Sequence, residues 1–499
     1  MGFAAGEHGV KRAVVQKEND AAIYRAPTLY DALQEIPGAV TNRTVAIRDT
    51  TQLFVGAPSH LGGLDEWVDF ATQTLIHDLS TACIVWWCLD DPEKTPFEKA
   101  ATQSARQKKQ AVVPGIPLDD NYNTDDLRNV SSCKPLVLNR PSRYRCIDEI
   151  LRRVLERVRS YSHHSVVILD GVDPLGADRH IGQPRSPIIL CEDEALAEMI
   201  GDVTTDALTR DGVVPRVATD TLKLGEADVR IRVADDCVRL LQRRKIVLGG
   251  VDCADLNLVL VHSIDTDQIA IAMLAEAERD EARKGVDCTQ KSSNVVVITD
   301  SSGDISSSST HDITHPVQTL LCYKERGQWA AAELQTYRTR YALAMEKDLA
   351  ESGILLIDPR GLFKLHVDRA RRFATPDGYR GRVNFQSELS YIRLLIACWT
   401  LTGCDYVPPV SQHNRLVESL MMTATNIRSL DTFDWCHMGL DRVCALNRWH
   451  RAKRLLMEVL ADTRQKGSKR QKCDSSNLEV AAEAALWTTA YWSILPPIV

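Results

Sequence analysis

Four short apolar runs organise the chain, and each stops on an acidic residue. VAIRD at 45–49 ends on Asp49, the run at 82–89 ends on Asp90 and Asp91, VVILD at 166–170 ends on Asp170, and the run at 257–264 ends on Asp265. Uninterrupted runs of this length predict strands buried on both faces, as in a parallel sheet covered by helices. Elsewhere the period lengthens. Residues 145–159 put Ile147, Ile150, Leu151, Val154, Leu155 and Val158 on one side and Arg152, Arg153 and Arg157 on the other, which predicts a helix. Further helices are expected at 192–208, at 233–241 with 222–231 leading into it, at 316–352 and at 385–401, with extended runs at 295–299 and 353–358. Beyond about residue 410 the pattern is helical apart from a basic segment at 464–472. Alternating strands and helices predict an α/β fold, a central, mainly parallel, twisted sheet flanked by helices.

Two stretches fall outside that pattern. Residues 111–142 are polar and rich in turn formers, which suits a surface excursion, and the serine-rich stretch at 300–312 is too poor in apolar residues to pack a core. Composition narrows the class. At 499 residues, 44% hydrophobic and 25% charged, the chain can bury a large core, which excludes collagen, wholesale disorder and a coiled coil. No apolar run approaches the ~20 residues of a membrane helix and no apolar stretch follows a basic start, so an intracellular protein with no membrane association is expected. The start MGFAAG has no Ser or Thr at position 6, which argues against lipidation. The fourteen cysteines are scattered without CxxC pairs or zinc spacing and are read as buried small hydrophobes in a reducing compartment. A net charge of −7 excludes coating nucleic acid by bulk attraction and leaves local basic strips as the means of holding phosphates.

One acid after a strand is most often a helix cap. Order and local sequence point further: GEAD at 225–228, then SIDTD at 263–267, then an apolar helix delivering GCDY at 403–406. This succession resembles the flap endonuclease (XPG-like) family of structure-specific 5′ nucleases, and the start MGF and the segment VAIRD are similar to that family's N-terminus. The match runs in islands from residue 1 to about 410 and resembles divergent members such as those of large DNA viruses. The resemblance implies a PIN-like nuclease core at 1–410 with insertions at about 111–200 and 290–350, followed by a helical region at 411–499.

It also implies site residues. Asp49, Asp90, Glu226, Asp228, Asp265, Asp267 and Asp405 match the family's metal-site acids, and Lys99 and Arg106, seven residues apart on a helix, resemble its basic gateway. The cofactor implied is a pair of Mg²⁺ ions, with Mn²⁺ as substitute. Phosphodiester hydrolysis needs an activated water and neutralised charge on both attacking and leaving oxygens, which two ions about 4 Å apart supply. Hard ions require oxygen ligands, and acids crowded together would repel one another without cations. The implied substrate is DNA with branched or single-stranded 5′ ends in replication, repair or recombination, at a nuclear site or wherever DNA replicates, with replication or repair proteins as partners. An RNA-directed 5′→3′ exonuclease of the same superfold and a non-catalytic scaffold are the alternatives.

Two departures matter. Asp170, in a strand-Asp-Gly-x-x-Pro setting, rivals Asp90 for one ligand position; Asp90 is preferred because a Lys/Arg segment follows it, and the other acid would then lie in an insertion. After Tyr406 the family's glycine-rich hairpin turn is replaced by PPVSQHNR at 408–415, which has no glycine. Duplex binding then falls to side chains: Arg369, Arg371, Arg372, Arg380 and Arg382, or the basic residues at 448–454.

Overall fold

The computed structural model describes residues 23–26, 43–50, 64–89, 140–159, 165–171, 180–181, 186–191, 227–263, 267–283, 293–299, 354–357, 359–373, 388–401, 404, 406–407, 433, 442–465 and 475–493. In chain order the strands are β1 (Ile23–Ala26), β2 (Thr44–Asp49), β3 (Ile84–Cys88), β4 (Val166–Asp170), β5 (His180–Ile181), β6 (Ile188–Cys191), β7 (Val247–Leu248), β8 (Val251–Asp252), β9 (Leu258–Ser263), β10 (Ser293–Thr299) and β11 (Ile354–Ile357). The helices are α1 (Leu64–Thr81), α2 (Arg140–Val158), α3 (Ala227–Arg244), α4 (Asp267–Arg283), α5 (Pro359–Phe373), α6 (Glu388–Thr400), α7 (Arg442–Gln465) and α8 (Ser475–Trp492).

Nine strands form one sheet in the order β1-β11-β10-β9-β2-β3-β4-β6-β5, and β7 with β8 makes a separate hairpin. Every neighbouring pair from β10 across to β6 is parallel, while β11 and β5 run against the rest. This is the mainly parallel, helix-flanked α/β sheet expected. The chain lays down β2, β3 and β4 outward in one direction, then returns to place β9 on the other side of β2. The sheet therefore has its topological switch point between β2 and β9, where open α/β sheets form a crevice beyond the carboxyl ends of their strands.

The two faces divide the core. Ala46, Val85, Trp87, Val167 and Leu169 pack under α1 and α2, while Val45, Ile47, Ile84, Trp86, Val166 and Ile168 face a larger core that holds side chains of α3 to α8. Alternate residues of one strand thus feed opposite apolar cores, which is why the strands read as continuous apolar runs. The helix expected from 233 begins earlier, at Ala227, because Val229 and Ile231 continue the buried face of Val233, Ala234, Cys237 and Val238. The helix at 145–159 likewise begins earlier, at Arg140. β4 and β6 pair within the central sheet although residues 111–200 read as an insertion. The helices expected at 192–208 and 316–352 and the loop at 300–312 lie outside the described residues.

Tyr406 anchors the segment after α6. Its ring lies 5.8 Å from Tyr491, 6.1 Å from Trp492 and 6.2 Å from Trp487, and Trp492 in turn meets Trp399 of α6 at 5.8 Å. Large tilted and edge-on aromatic contacts of this kind add to the area they bury. They join α8 to Tyr406 and to α6.

The described cysteines set a test of the packing. Cys83, Cys88, Cys191, Cys237, Cys253, Cys398 and Cys404 are buried, and Cys444 is exposed. Burial pushes the Cys83 thiol up to about 11 and that of Cys253 up to about 12, and lifts those of Cys88, Cys237 and Cys398 well above the usual range. At neutral pH an alkylating reagent followed by peptide mapping should label Cys444 and spare Cys88, Cys237 and Cys398. Because these folded-state values lie above the ordinary thiol value of 9.0, the protonated thiols' contribution to stability is intact below pH 9 and is lost as pH rises through about 11 and 12. Denaturation midpoints should accordingly fall over that alkaline window, and a flat profile there would contradict the burial.

Candidate acidic site at the carboxyl ends of the strands

Asp49 closes β2, and its register partner on β3 is Cys88, whose own partner on β4 is Asp170. Residues paired across parallel strands point to the same face. The three therefore form a row across the sheet's carboxyl rim, all buried, on the face covered by α3. Their backbones are locked together: Thr50 N donates to Cys88 O at 2.8 Å, its hydroxyl donates to the same oxygen at 2.7 Å, and Leu89 N donates to Asp170 O at 2.9 Å. Gly171 is needed for this approach. It adopts a positive φ of 92°, and a Cβ there would stand 2.5 Å from the carbonyl oxygen of Leu89.

Two helices begin at the same rim. Asp228 lies in the first turn of α3 and Asp267 opens α4, each at a helix N-terminus where unpaired amides favour negative charge. The two starts touch, since Gln268 Nε2 donates to Asp228 Oδ1 at 2.5 Å. Asp49, Asp228 and Asp267 are 5–6% exposed, so each acid is held out of bulk water. Arg230, half a turn beyond Asp228, pairs with Asp170, and both side chains are completely buried. The Cys88 thiol records this mixture. Burial raises it most, Asp170 and Asp49 raise it further, and Arg230 opposes them.

The opposite face of the rim carries its own charge pair. Arg48 donates from Nε to Asp78 Oδ2 at 2.7 Å and from Nη2 to Asp78 Oδ1 at 2.5 Å, and Nη2 also reaches His262 Nδ1 at 3.2 Å. Trp87 Nε1 donates to Asp78 Oδ2 at 3.0 Å. One acid of α1 thus ties together β2, β3 and, through Arg48, β9, directly beneath Asp49. The bidentate geometry gives rigidity as well as charge balance.

Behind the site, α3, α4 and α6 share four arginines and four acids. Glu278, fully buried, accepts from Arg232 at 3.1 Å and from Arg393 at 3.3 Å, and Arg393 also donates to Phe433 O at 3.1 Å. Arg232 reaches Asp236 at 3.0 Å; Arg279 reaches Glu276 at 2.7 Å, Asp236 at 2.8 Å and Asp235; Arg239 reaches Asp235 at 3.3 Å. Burial acts to weaken the Arg279 cation, but Asp235, Asp236 and Glu276 outweigh it and hold its pKa well above the usual value. This network fixes the two helices whose first turns carry Asp228 and Asp267.

Of the residues expected from sequence, Asp49, Asp228 and Asp267 come to this one rim. Asp90, Glu226, Asp265, Asp405, Lys99, Arg106, Arg380 and Arg382 lie outside the described residues, as do the side chains of Arg369, Arg371 and Arg372 on α5. Among the described residues no three His, Cys, Asp or Glu side chains form a metal-holding group. Among the described residues no helix is long and apolar enough to cross a membrane. Sequence reading missed Arg48, Asp78, Arg230 and Gln268. The only local signal was polarity at positions of otherwise apolar strands and helices, with no indication of which distant partner each would meet. No protein-family model matches the chain, and no curated protein matches it.

Proposed function

We propose that the chain is a divalent-metal-dependent 5′ nuclease of the flap endonuclease type, with a PIN-like core, acting on branched or single-strand-bearing DNA in replication, repair or recombination. The observation that carries this reading is the gathering of Asp49, Asp228 and Asp267 at the carboxyl rim of a parallel sheet, beside its switch point. Sequence neighbours strengthen it. Asp265 stands between Ser263, the last residue of β9, and Asp267; Glu226 directly precedes α3; Asp90 directly follows the buried Leu89; and Asp405 lies between the buried Cys404 and Tyr406.

The donor type fits a hard cation, because the described acids offer carboxylate oxygens, and a closed metal-holding group would need Asp90, Glu226, Asp265 or Asp405 beside them. Asp90, Glu226, Asp228 and Asp265 would be the inner ligands, and Asp49, Asp267 and Asp405 would hold waters or complete a second position. Bound Mg²⁺ supplies a more acidic water and charge neutralisation at the phosphate. The chain's own groups do the rest. Gln268 orients one carboxyl oxygen of Asp228. Arg48 and Asp78 brace the strand under Asp49. Arg230 offsets the charge of Asp170, which favours Asp90 as the ligand at the contested position. Lys99 would attract the scissile phosphate and Arg106 would clamp a neighbour.

Incubation of the purified chain with a labelled 5′-flap duplex, a gapped duplex and a single-stranded RNA tests this. Cleavage of the DNA substrates in Mg²⁺ or Mn²⁺, abolished by chelator, is expected. Cleavage of RNA alone would transfer the reading to a 5′→3′ exoribonuclease, and absence of metal-dependent cleavage from all three would remove it.

A further inference from the structure

The outer face of α7 has the chemistry of a polyanion track. Its inner face is committed: Ala445, Trp449, Ala452, Leu455, Leu456, Val459 and Leu460 are buried in the main core, and Trp449 Nε1 donates to Glu483 of α8 at 2.8 Å. On the flank, Lys453 is held by Glu479 at 3.0 Å and Glu483 at 3.2 Å. The outward positions include Asn447, His450, Arg451 and Arg454, spaced so that all four share one stripe, which the exposed Glu458 continues one turn on, with Arg448 half-exposed beside them. From Val443 to Ala461 the only carboxylate is Glu458, and among the described residues no acid pairs with Arg451 or Arg454.

This is unusual for the molecule. The whole chain carries −7, and the cations elsewhere in the described structure are largely matched to carboxylates, as Arg48, Arg230, Arg232, Arg279 and Arg393 are. An acidic protein in which two guanidinium groups one turn apart have no carboxylate partner among the described residues has a surface suited to negative charge. Arg448 to Arg454 spans about 9 Å of helix at 1.5 Å per residue. One DNA strand places a phosphate about every 3.4 Å along the duplex axis, so that span meets two or three phosphates. Guanidinium and amide donors match phosphate oxygens in geometry as well as sign.

We infer that the stripe Asn447, His450, Arg451 and Arg454 of α7 binds the sugar-phosphate backbone of a duplex nucleic acid, and supplies grip that the glycine-free segment after Tyr406 does not. This rests on the nuclease reading. It adds a binding surface on the C-terminal helical pair, separate from the acidic rim.

The test measures anisotropy of a fluorescent 5′-flap duplex in chelator over a range of salt, for the full chain and for Arg451→Ala/Arg454→Ala. The double variant should flatten the plot of log affinity against log salt by about 1.8, or about 0.9 for each phosphate that the protein no longer neutralises. Its metal-dependent kcat at saturating substrate should match wild type. Lys453→Ala, which releases only the tie to α8, should leave the slope unchanged. A double variant with wild-type slope and affinity overturns the inference while wild-type cleavage upholds the nuclease reading. A wild-type chain that binds and cleaves no nucleic acid overturns both. Loss of binding to polyglutamate with DNA binding intact would assign the stripe to an acidic protein and overturn the backbone-binding role.

Discussion

Replacing Asp265 by Asn is expected to slow metal-dependent cleavage of a 5′-flap substrate by about a thousandfold, which corresponds to about 4 kcal/mol of lost transition-state stabilisation. Asn keeps the shape and one oxygen but removes the charge that holds a hard cation, so affinity for Mn²⁺ measured calorimetrically should fall as well. The fold should not suffer. In the proposed site Asp265 is one of several crowded acids, and removal of one relieves mutual repulsion in the absence of metal. Asp49→Asn, at the buried end of β2, should behave in the same way with a smaller loss, since it is assigned a water-mediated role. Rates under single-turnover conditions and thermal midpoints measured without metal separate the two effects. Wild-type cleavage by Asp265→Asn would end the assignment.

The largest effect on stability is expected at Glu278. Its carboxylate is fully buried and bound by Arg232 and Arg393, which bring α3 and α6 against α4. Glu278→Gln would leave two buried guanidinium groups short of their counter-charge, and removing one partner of a buried ion pair costs about 3–5 kcal/mol. Chemical denaturation should show that loss directly. The double change Glu278→Leu, Arg393→Met should recover most of it, because one cation and one anion are removed together and Arg232 keeps Asp236 as its partner. A cost below about 1 kcal/mol for Glu278→Gln would mean the network does not hold these helices together.

The parallel sheet was legible for a physical reason. β2, β3, β4 and β9 are buried on both sides, so most of their residues are apolar, and a run of that kind is visible without knowing its neighbours. Acids at the ends of those runs were equally visible, and Asp49, Asp228 and Asp267 do reach one rim. What escaped is what depends on partners distant in sequence. Arg230 meets Asp170 across 60 residues and Arg48 meets Asp78 across 30, and neither Arg carries a local sign that its charge will be matched in the interior. The start of α3 is displaced because residues 222–231 read as a lead-in, whereas Val229 and Ile231 share the buried face of Val233 and Val238. α1 and α4 carry no clear periodic mark. Their apolar stripes are interrupted by buried polar groups, such as Asp78 and Glu278, whose partners lie on other elements.

The order of the strands has a consequence for biosynthesis. β2 takes β3 as one neighbour soon after it is made, but its other neighbour, β9, begins at Leu258. At roughly 5–20 residues per second, β2 waits about 10–40 s on the ribosome with one edge unpaired. An edge open for that time is a template for pairing with other chains. Yield from cells should therefore depend on chaperones that shield nascent strands, and slower growth at low temperature, which lengthens the wait, need not improve it.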